Sequence, residues 1–199
     1  MTTMSATATR SVALPTDGDW TVDDLDALPD DGLRHELLDG ILVVTPSPVW
    51  AHQGALGGLY GLLKAACPSD QRVLLAPFDW RPHRRTSLQP DILVARYGDL
   101  AAVPQGKNLI APPLLAVEIA SPSTRRYDRT AKLSVYEEAG VVSYWLVEPD
   151  PETPTVTALE LTDGAYVEAA VVTADESWTA EKPFTVTVRP TDLVADLHP

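Results

Sequence analysis

Three ionisable side chains stand where apolar packing is expected. Asp91 follows Pro90 at the head of the strand-like run QPDILV, Glu118 interrupts the apolar LLAVEIA, and Lys132 falls within the helical pattern TRRYDRTAKLSVYEEAG. In a strand, residues two apart share a face, so Glu118 lies with Ala116 and Ala120, small neighbours that leave room in front of the carboxylate. In the helix, Asp128, Lys132, Val135, Tyr136 and Ala139 share one stripe, which turns Lys132 toward the sheet with the apolar residues. Burying an unpaired charge is costly, so each position needs a partner, an ion or a task.

Two acids and a lysine converging across a sheet edge suit a hard divalent cation bound through oxygen. Mg²⁺ fits because it takes few protein carboxylates, keeps several waters and completes its shell with phosphate oxygens; Mn²⁺ is the expected substitute. The lysine would orient or deprotonate an attacking water and stabilise charge in the transition state. Plainer readings exist for the same residues: Asp128 and Lys132 as a helix ion pair, and Glu118 as the partner of an arginine.

The elements that must position these groups can be read from pattern. Thr21, with Asp24 three residues on, predicts a short helix over 22–28. RHELLDGILVVTP reads as a hairpin turning at Asp39-Gly40. AHQGALGGLYGLLKAAC places Leu56, Leu59, Tyr60 and Leu63 at helical spacing, its glycines weakening the helix but permitting close packing. RVLLAPFDW and QPDILVARY read as strands joined by the basic loop RPHRRTSL. PPLLAVEIAS is a third strand, 124–139 a helix stopped by Gly140, and VSYWLVEP a fourth strand. A hairpin at Asp163-Gly164 and a last strand FTVTV complete the chain. This order predicts an α/β sandwich with a central mixed sheet flanked by helices, plus additional hairpins. The expected organisation is a flexible tail over 1–18 and one domain over 19–199.

Composition bounds the class. The 199 residues are 45% hydrophobic and 22% charged, enough for one complete core. A lone cysteine, Cys67, excludes an internal disulfide framework and makes the reducing cytoplasm the default expectation. Neither a signal peptide nor a bilayer-spanning run is legible, so no membrane partner is expected. A net charge of -13 opposes indiscriminate adhesion to nucleic acid. Between Arg81 and Lys132, however, nine of the fifteen basic residues meet only four acids, giving +5 against -18 for the remainder. That segment, with Arg84, Arg85, Arg125, Arg126 and Arg129, reads either as a solvated face or as a phosphate-facing patch. Arginines crowding the first turns of a helix conflict with its dipole, a conflict that a docked anion or plain solvent exposure would relieve.

QPDILV followed by PPLLAVEIASPSTRRYDRTAKLSVYEEAGVVSYWLVEPD, with RHELLDGILVVTPSPVWAH upstream, resembles the restriction endonuclease-like Uma family of the PD-(D/E)XK nuclease superfamily. The resemblance covers roughly residues 20–195. It implies a restriction endonuclease-like fold, with Asp91 and Glu118 as metal ligands. Alanine at position 120 stands where the superfamily usually carries its lysine, which nominates Lys132, on the following helix, for that role. Glu36 resembles the family's hairpin acid and would complete or orient the metal shell. His52 occupies a position where the family often has histidine and forms a second tier, a lone histidine being more often structural.

The leading expectation is a Mg²⁺-dependent endonuclease that hydrolyses nucleic acid, DNA ahead of RNA, by in-line attack of a metal-activated water. A homodimer would suit paired cuts on duplex DNA. The alternatives are an inactive nucleic-acid- or protein-binding module retaining the nuclease fold, and a hydrolase of small phosphodiesters or nucleotides.

Overall fold

The computed structural model describes residues 19–45, 47–103, 106–121 and 124–195. The expected tail over 1–18 lies outside the described residues. The first helix, α1 (Val22–Asp26), is closed by the anticipated capping box, with the Thr21 side chain and N–H both bound to the Asp24 carboxylate. The hairpin β1 (Arg34–Leu38) and β2 (Ile41–Thr45) turns through Asp39 and Gly40, both at positive φ.

The central sheet has six strands: β3 (Gln71–Leu75), β6 (Ile92–Arg96), β8 (Leu115–Ile119), β9 (Ser143–Glu148), β10 (Thr155–Thr162) and β11 (Ala165–Thr173). They lie in the order β11-β10-β9-β8-β6-β3. Every neighbouring pair is antiparallel except β8 and β9, which are parallel. A parallel pair requires a crossover, and the helical segment 125–138 supplies it. That segment is not one α-helix. It runs as α4 (Arg125–Tyr127), a π-helical turn (Asp128–Lys132) and α5 (Leu133–Glu138). The Tyr144 hydroxyl donates to the Asp128 main-chain carbonyl at 3.0 Å, a side chain inserted at the irregular turn.

The run RVLLAPFDW is not a single strand: β3 ends at Leu75, and Ala76-Pro77 separates it from β4 (Asp79–His83). The basic stretch RPHRRTSL, expected as a loop, is instead part of a hairpin between β4 and β5 (Thr86–Leu88). With β1, β2 and β7 (Asn108–Leu109) this hairpin forms a second sheet, ordered β2-β1-β5-β4-β7. The additional hairpins therefore do not stand alone. The remaining pieces are α3 (Tyr97–Ala101), the pair β12 (Trp178–Ala180) and β13 (Val186–Val188), and α6 (Pro190–Leu193).

Two apolar layers sandwich the central sheet. On one face α2 (Trp50–Ala66) sets Ala55, Leu59 and Leu63 against Val94, Val117, Trp145 and the β12–β13 pair. On the other face Leu93, Ala116, Tyr144 and Leu146 meet Trp80 and Leu88 of the second sheet and Tyr136 of α5. Strand alternation assigns β8 to both layers, Val117 to the first and Ala116 to the second. Glu118 has the parity of Ala116, so it faces the layer where the second sheet and the π turn converge. Among the described residues no helix is long and apolar enough to cross a membrane.

The glycines of α2 differ in purpose. A Cβ on Gly58 would stand 3.2 Å from the Leu193 backbone, so this residue permits the close approach of α6; Gly57 and Gly61 have open space. Gly57→Ala and Gly61→Ala should each raise stability by about 0.4–1 kcal/mol in urea titrations, whereas Gly58→Ala should give no such gain. Leu59→Ala, at a fully buried position, should lose about 2–5 kcal/mol in the same measurement.

Candidate active site

Asp91, Glu118 and Lys132, far apart in sequence, line one cavity of about 200 Å³, together with Glu36, His52 and Arg34. Five elements supply them. Asp91 precedes β6, Glu118 projects from β8, Lys132 and Asp128 come from the π turn, Glu36 and Arg34 from β1, and His52 from the first turn of α2. Asp91, Glu118 and Lys132 are only 2–3% exposed, so all three charges are held almost wholly out of water.

Lys132 is the internal counter-ion. Its Nζ lies 2.9 Å from Glu118 Oε1 and 3.0 Å from Glu36 Oε1, with Asp128 Oδ1 at 3.9 Å. The Tyr136 hydroxyl donates to the same Glu118 Oε1 at 2.8 Å, and the Gln89 N–H donates to Glu36 Oε1 at 2.8 Å. Glu118 is thus gripped through one oxygen. Asp91 is fixed through Oδ2, which accepts from the Ile119 N–H at 2.8 Å and pairs with His52 Nε2 at 3.1 Å.

The second oxygens of Asp91 and Glu118 share another partner, Arg34. Its Nη1 donates to Asp91 Oδ1 at 3.0 Å, while Nη2 lies 3.9 Å from Glu118 Oε2 and 3.4 Å from Glu36 Oε1, and also donates to the Gln89 carbonyl. The reading of Glu118 as the partner of an arginine is therefore partly realised, beside the lysine contact. Arg34 was not among the candidates drawn from sequence, because at the head of a strand after exposed Leu33 it has the pattern of a surface residue. The hydroxyl of Tyr136 was missed for a related reason: its place on the apolar stripe explained the ring and hid the donor.

Electrostatics follow from burial and from this wiring. Burial opposes ionisation of Asp91, but the His52 contact, Arg34 and the Ile119 N–H outweigh it and bring its pKa down to about 2. Burial dominates at Glu118 and, with the charges of Asp128, Asp91 and Glu36, pushes it up to about 8 despite Lys132. Asp128 is raised to about 6, chiefly by burial. Burial pulls Lys132 downward, yet Glu118 and Glu36 more than compensate, so it binds its proton more tightly than an ordinary lysine. A lysine that holds its proton this firmly is a poor general base. Asp128 Oδ1 and the Tyr127 hydroxyl are buried without hydrogen-bond partners among the described residues, and both residues line the cavity.

The arginines divide. Thr124 lines the cavity, and Arg125 and Arg129 just beyond it both pair with Glu148, at 2.7 and 2.6 Å. Arg126 is exposed, with no ion pair among the described residues. Arg85 binds Asp19 and Asp39 at the opposite end of β1 from Arg34, and neither it nor Arg84 lines the cavity. Arg81 is held by Asp26 and Asp79. Several basic residues of the +5 segment are thus held in local ion pairs, while Arg84 and Arg126 have none among the described residues.

Residues 22–192 match the Uma2 family, described as "Putative restriction endonuclease". The chain belongs to this family. Among solved structures it resembles a "putative nuclease belonging to DUF820" from Anabaena variabilis ATCC 29413, at a TM-score of 0.68 and 19% identity over 88% of this chain and 97% of that one. At that identity the likeness establishes the fold: mixed sheets flanked by helices, as the sequence led one to expect. No curated protein matches the chain.

The raised carboxyl groups predict a pH dependence. Glu118 titrates near 4.5 when unperturbed and near 8 here, so its contribution to stability is complete below about 4.5 and is lost as pH rises through about 8. Asp128 adds a smaller loss between about 3.8 and about 6. Thermal melts in chelator should therefore fall between pH 5 and pH 8, and Glu118→Gln should flatten the upper part of that slope. An unchanged slope in the variant would assign it to other groups.

Proposed function

We propose that the protein is a divalent-metal-dependent endonuclease that hydrolyses phosphodiester bonds in nucleic acid, with Asp91, Glu118 and Lys132 at its reaction centre. The convergence of these three residues from a strand entrance, a strand interior and a π turn on one cavity carries the reading. Membership of the Uma2 family supports a nuclease and, by the chemistry common to restriction endonuclease-like proteins, a divalent metal.

The donor set fits a hard cation. Asp91 Oδ1 and Glu118 Oε2 face the same cationic group, while their other oxygens are fixed from behind by Ile119, His52, Lys132 and Tyr136. Four carboxylates, Glu36, Asp91, Glu118 and Asp128, surround the cations Arg34 and Lys132, a formal excess of negative charge that favours entry of a dication. An ion held by two carboxylates would draw the rest of its shell from water and substrate.

Bound Mg²⁺, or Mn²⁺ in its place, would polarise the phosphate and supply a reactive water at neutral pH. The chain contributes the rest. Asp91 and Glu118 would hold the ion, Glu36 and Tyr136 would keep Lys132 and Glu118 in register, and the protonated lysine would offset negative charge developing on the phosphate. The water oxygen would bond to phosphorus as the bond to the leaving sugar oxygen breaks in line, the water giving up its proton to solvent and the leaving oxygen taking one from it. Arg125, Arg126 and Arg129 beside the cavity would meet the nucleic-acid backbone, Arg126 most directly and the other two on release from Glu148. Arg84 and Arg85 would serve only a longer duplex reaching beyond the site. DNA is the favoured substrate.

Specific observations also favour a second reading, that of a binding module that keeps the fold. Arg34 and Lys132 already pair with the two acids without any metal, and Glu148 occupies two of the arginines.

The deciding assay incubates the protein with plasmid, single-stranded DNA and RNA in Mg²⁺, Mn²⁺ or chelator. Cleavage should require metal and should vanish in Asp91→Asn and Glu118→Gln, with Lys132→Met reduced by about 10²-fold or more. Metal-independent cleavage, or cleavage retained in Asp91→Asn, would refute the assignment; nucleic-acid binding without cleavage would select the binding module. Replacing Arg125, Arg126 and Arg129 together should flatten the salt dependence of duplex binding, measured in Ca²⁺, by up to about 0.9 in log-log slope per lost contact.

A further inference from the structure

We infer that Arg34 is a tethered stand-in for the metal ion: its guanidinium occupies the cation position between Asp91 and Glu118 and must withdraw for a divalent ion to bind. This rests on the metal-dependent reading above. It adds a residue that sets how tightly the ion is held.

The position is defined by the two oxygens that face the cavity. Asp91 Oδ1 accepts from Arg34 Nη1 at 3.0 Å, and Glu118 Oε2 lies 3.9 Å from Nη2. The companion oxygens are already engaged by Ile119, His52, Lys132 and Tyr136, so a dication bound by these two residues would use the oxygens that Arg34 holds. Both cannot be near them in a low-dielectric cavity, because two positive charges in contact repel strongly and guanidinium offers no lone pair to a metal.

The arginine is also built to leave. Its side chain is 26% exposed, against 4% and 3% for those of Asp91 and Glu118, so it reaches in from the solvent side. Nη2 has acceptors outside the pair, the Gln89 carbonyl and Glu36, which can retain the group while Nη1 releases Asp91. Lys132 is different: buried to 2% exposure and bonded to the rear oxygen of Glu118, it can remain when an ion enters. One cation is thus permanent and one exchangeable. Before metal arrives, the exchangeable one prevents two close carboxylates from repelling each other.

The test is Mn²⁺ binding, measured by calorimetry at fixed pH on the wild type, Arg34→Gln, Arg34→Lys, and the double variant Arg34→Gln/Asp91→Asn. Arg34→Gln should bind Mn²⁺ roughly tenfold more tightly or better, with a lower melting temperature in chelator and a larger rise on adding Mn²⁺. Arg34→Lys, which keeps the charge, should stay near wild type and provides the folded comparison if the glutamine variant is unstable. Asp91→Asn in the Arg34→Gln background should abolish the gain. Unchanged or weaker binding in Arg34→Gln would overturn the inference and leave Arg34 as a residue that merely positions the acids, with the metal reading intact. A gain that survives Asp91→Asn would place the ion elsewhere and also overturn it. Failure of wild type and Arg34→Gln alike to bind Mn²⁺ would refute the metal reading together with this one.

Discussion

Charge that is buried but incompletely neutralised governs this structure. Lys132, reaching up from a π-helical turn, meets Glu118 from the central sheet and Glu36 from the second sheet within 3.0 Å. Removing one member of such a group strands the others out of water, which costs far more than any exposed ion pair returns. The three elements are consequently locked in one relative arrangement. The two sheets meet with the crossover helix between them because that is where their charges find partners.

Around this centre the apolar framework supplies rigidity. Trp80, Tyr136 and Tyr144 form a run of ring contacts from the second sheet through α5 to β9, with centroids 5.3 and 4.9 Å apart. Both tyrosine hydroxyls turn to the polar cluster, one donating to Glu118 and the other to the Asp128 carbonyl. The aromatic layer therefore does two jobs, burying area and aiming donors. It fixes the rear oxygen of Glu118, as Ile119 and His52 fix that of Asp91, and the front oxygens of both face the cavity.

The π turn gives the site its asymmetry. It places Asp128 and Lys132 at the same buried level, yet Asp128 keeps an unbonded oxygen while Lys132 is fully used. The excess negative charge appears as protonation pressure on Glu118 and Asp128, whose ordinary pKa values it raises together with burial. Outside the cavity, Arg125 and Arg129 are engaged with Glu148 and Arg81 with Asp26 and Asp79, in a protein of net charge -13.

Local chemistry made much of this legible in the sequence. The Thr21 and Asp24 capping box, the Asp39-Gly40 and Asp163-Gly164 turns, the α2 stripe and the strands of the central sheet depend on interactions within a few residues, and the structure contains them where pattern places them. An acid in an apolar strand and a lysine on an apolar helix face likewise announce themselves, because their cost is visible without coordinates. Other features arise only from contacts between segments distant in the chain. The basic stretch after Trp80 pairs with β1 and becomes part of a second sheet, since its register is set by a partner about fifty residues earlier. The π turn answers to Tyr144, and the arginines are apportioned among acids that no local window contains. Arg34 is the clearest case. Its environment is made wholly by residues 55 and more positions away, Asp91, Gln89 and Glu118, apart from its neighbour Glu36, so only the folded chain could turn an apparent surface arginine into a counter-ion of the candidate site.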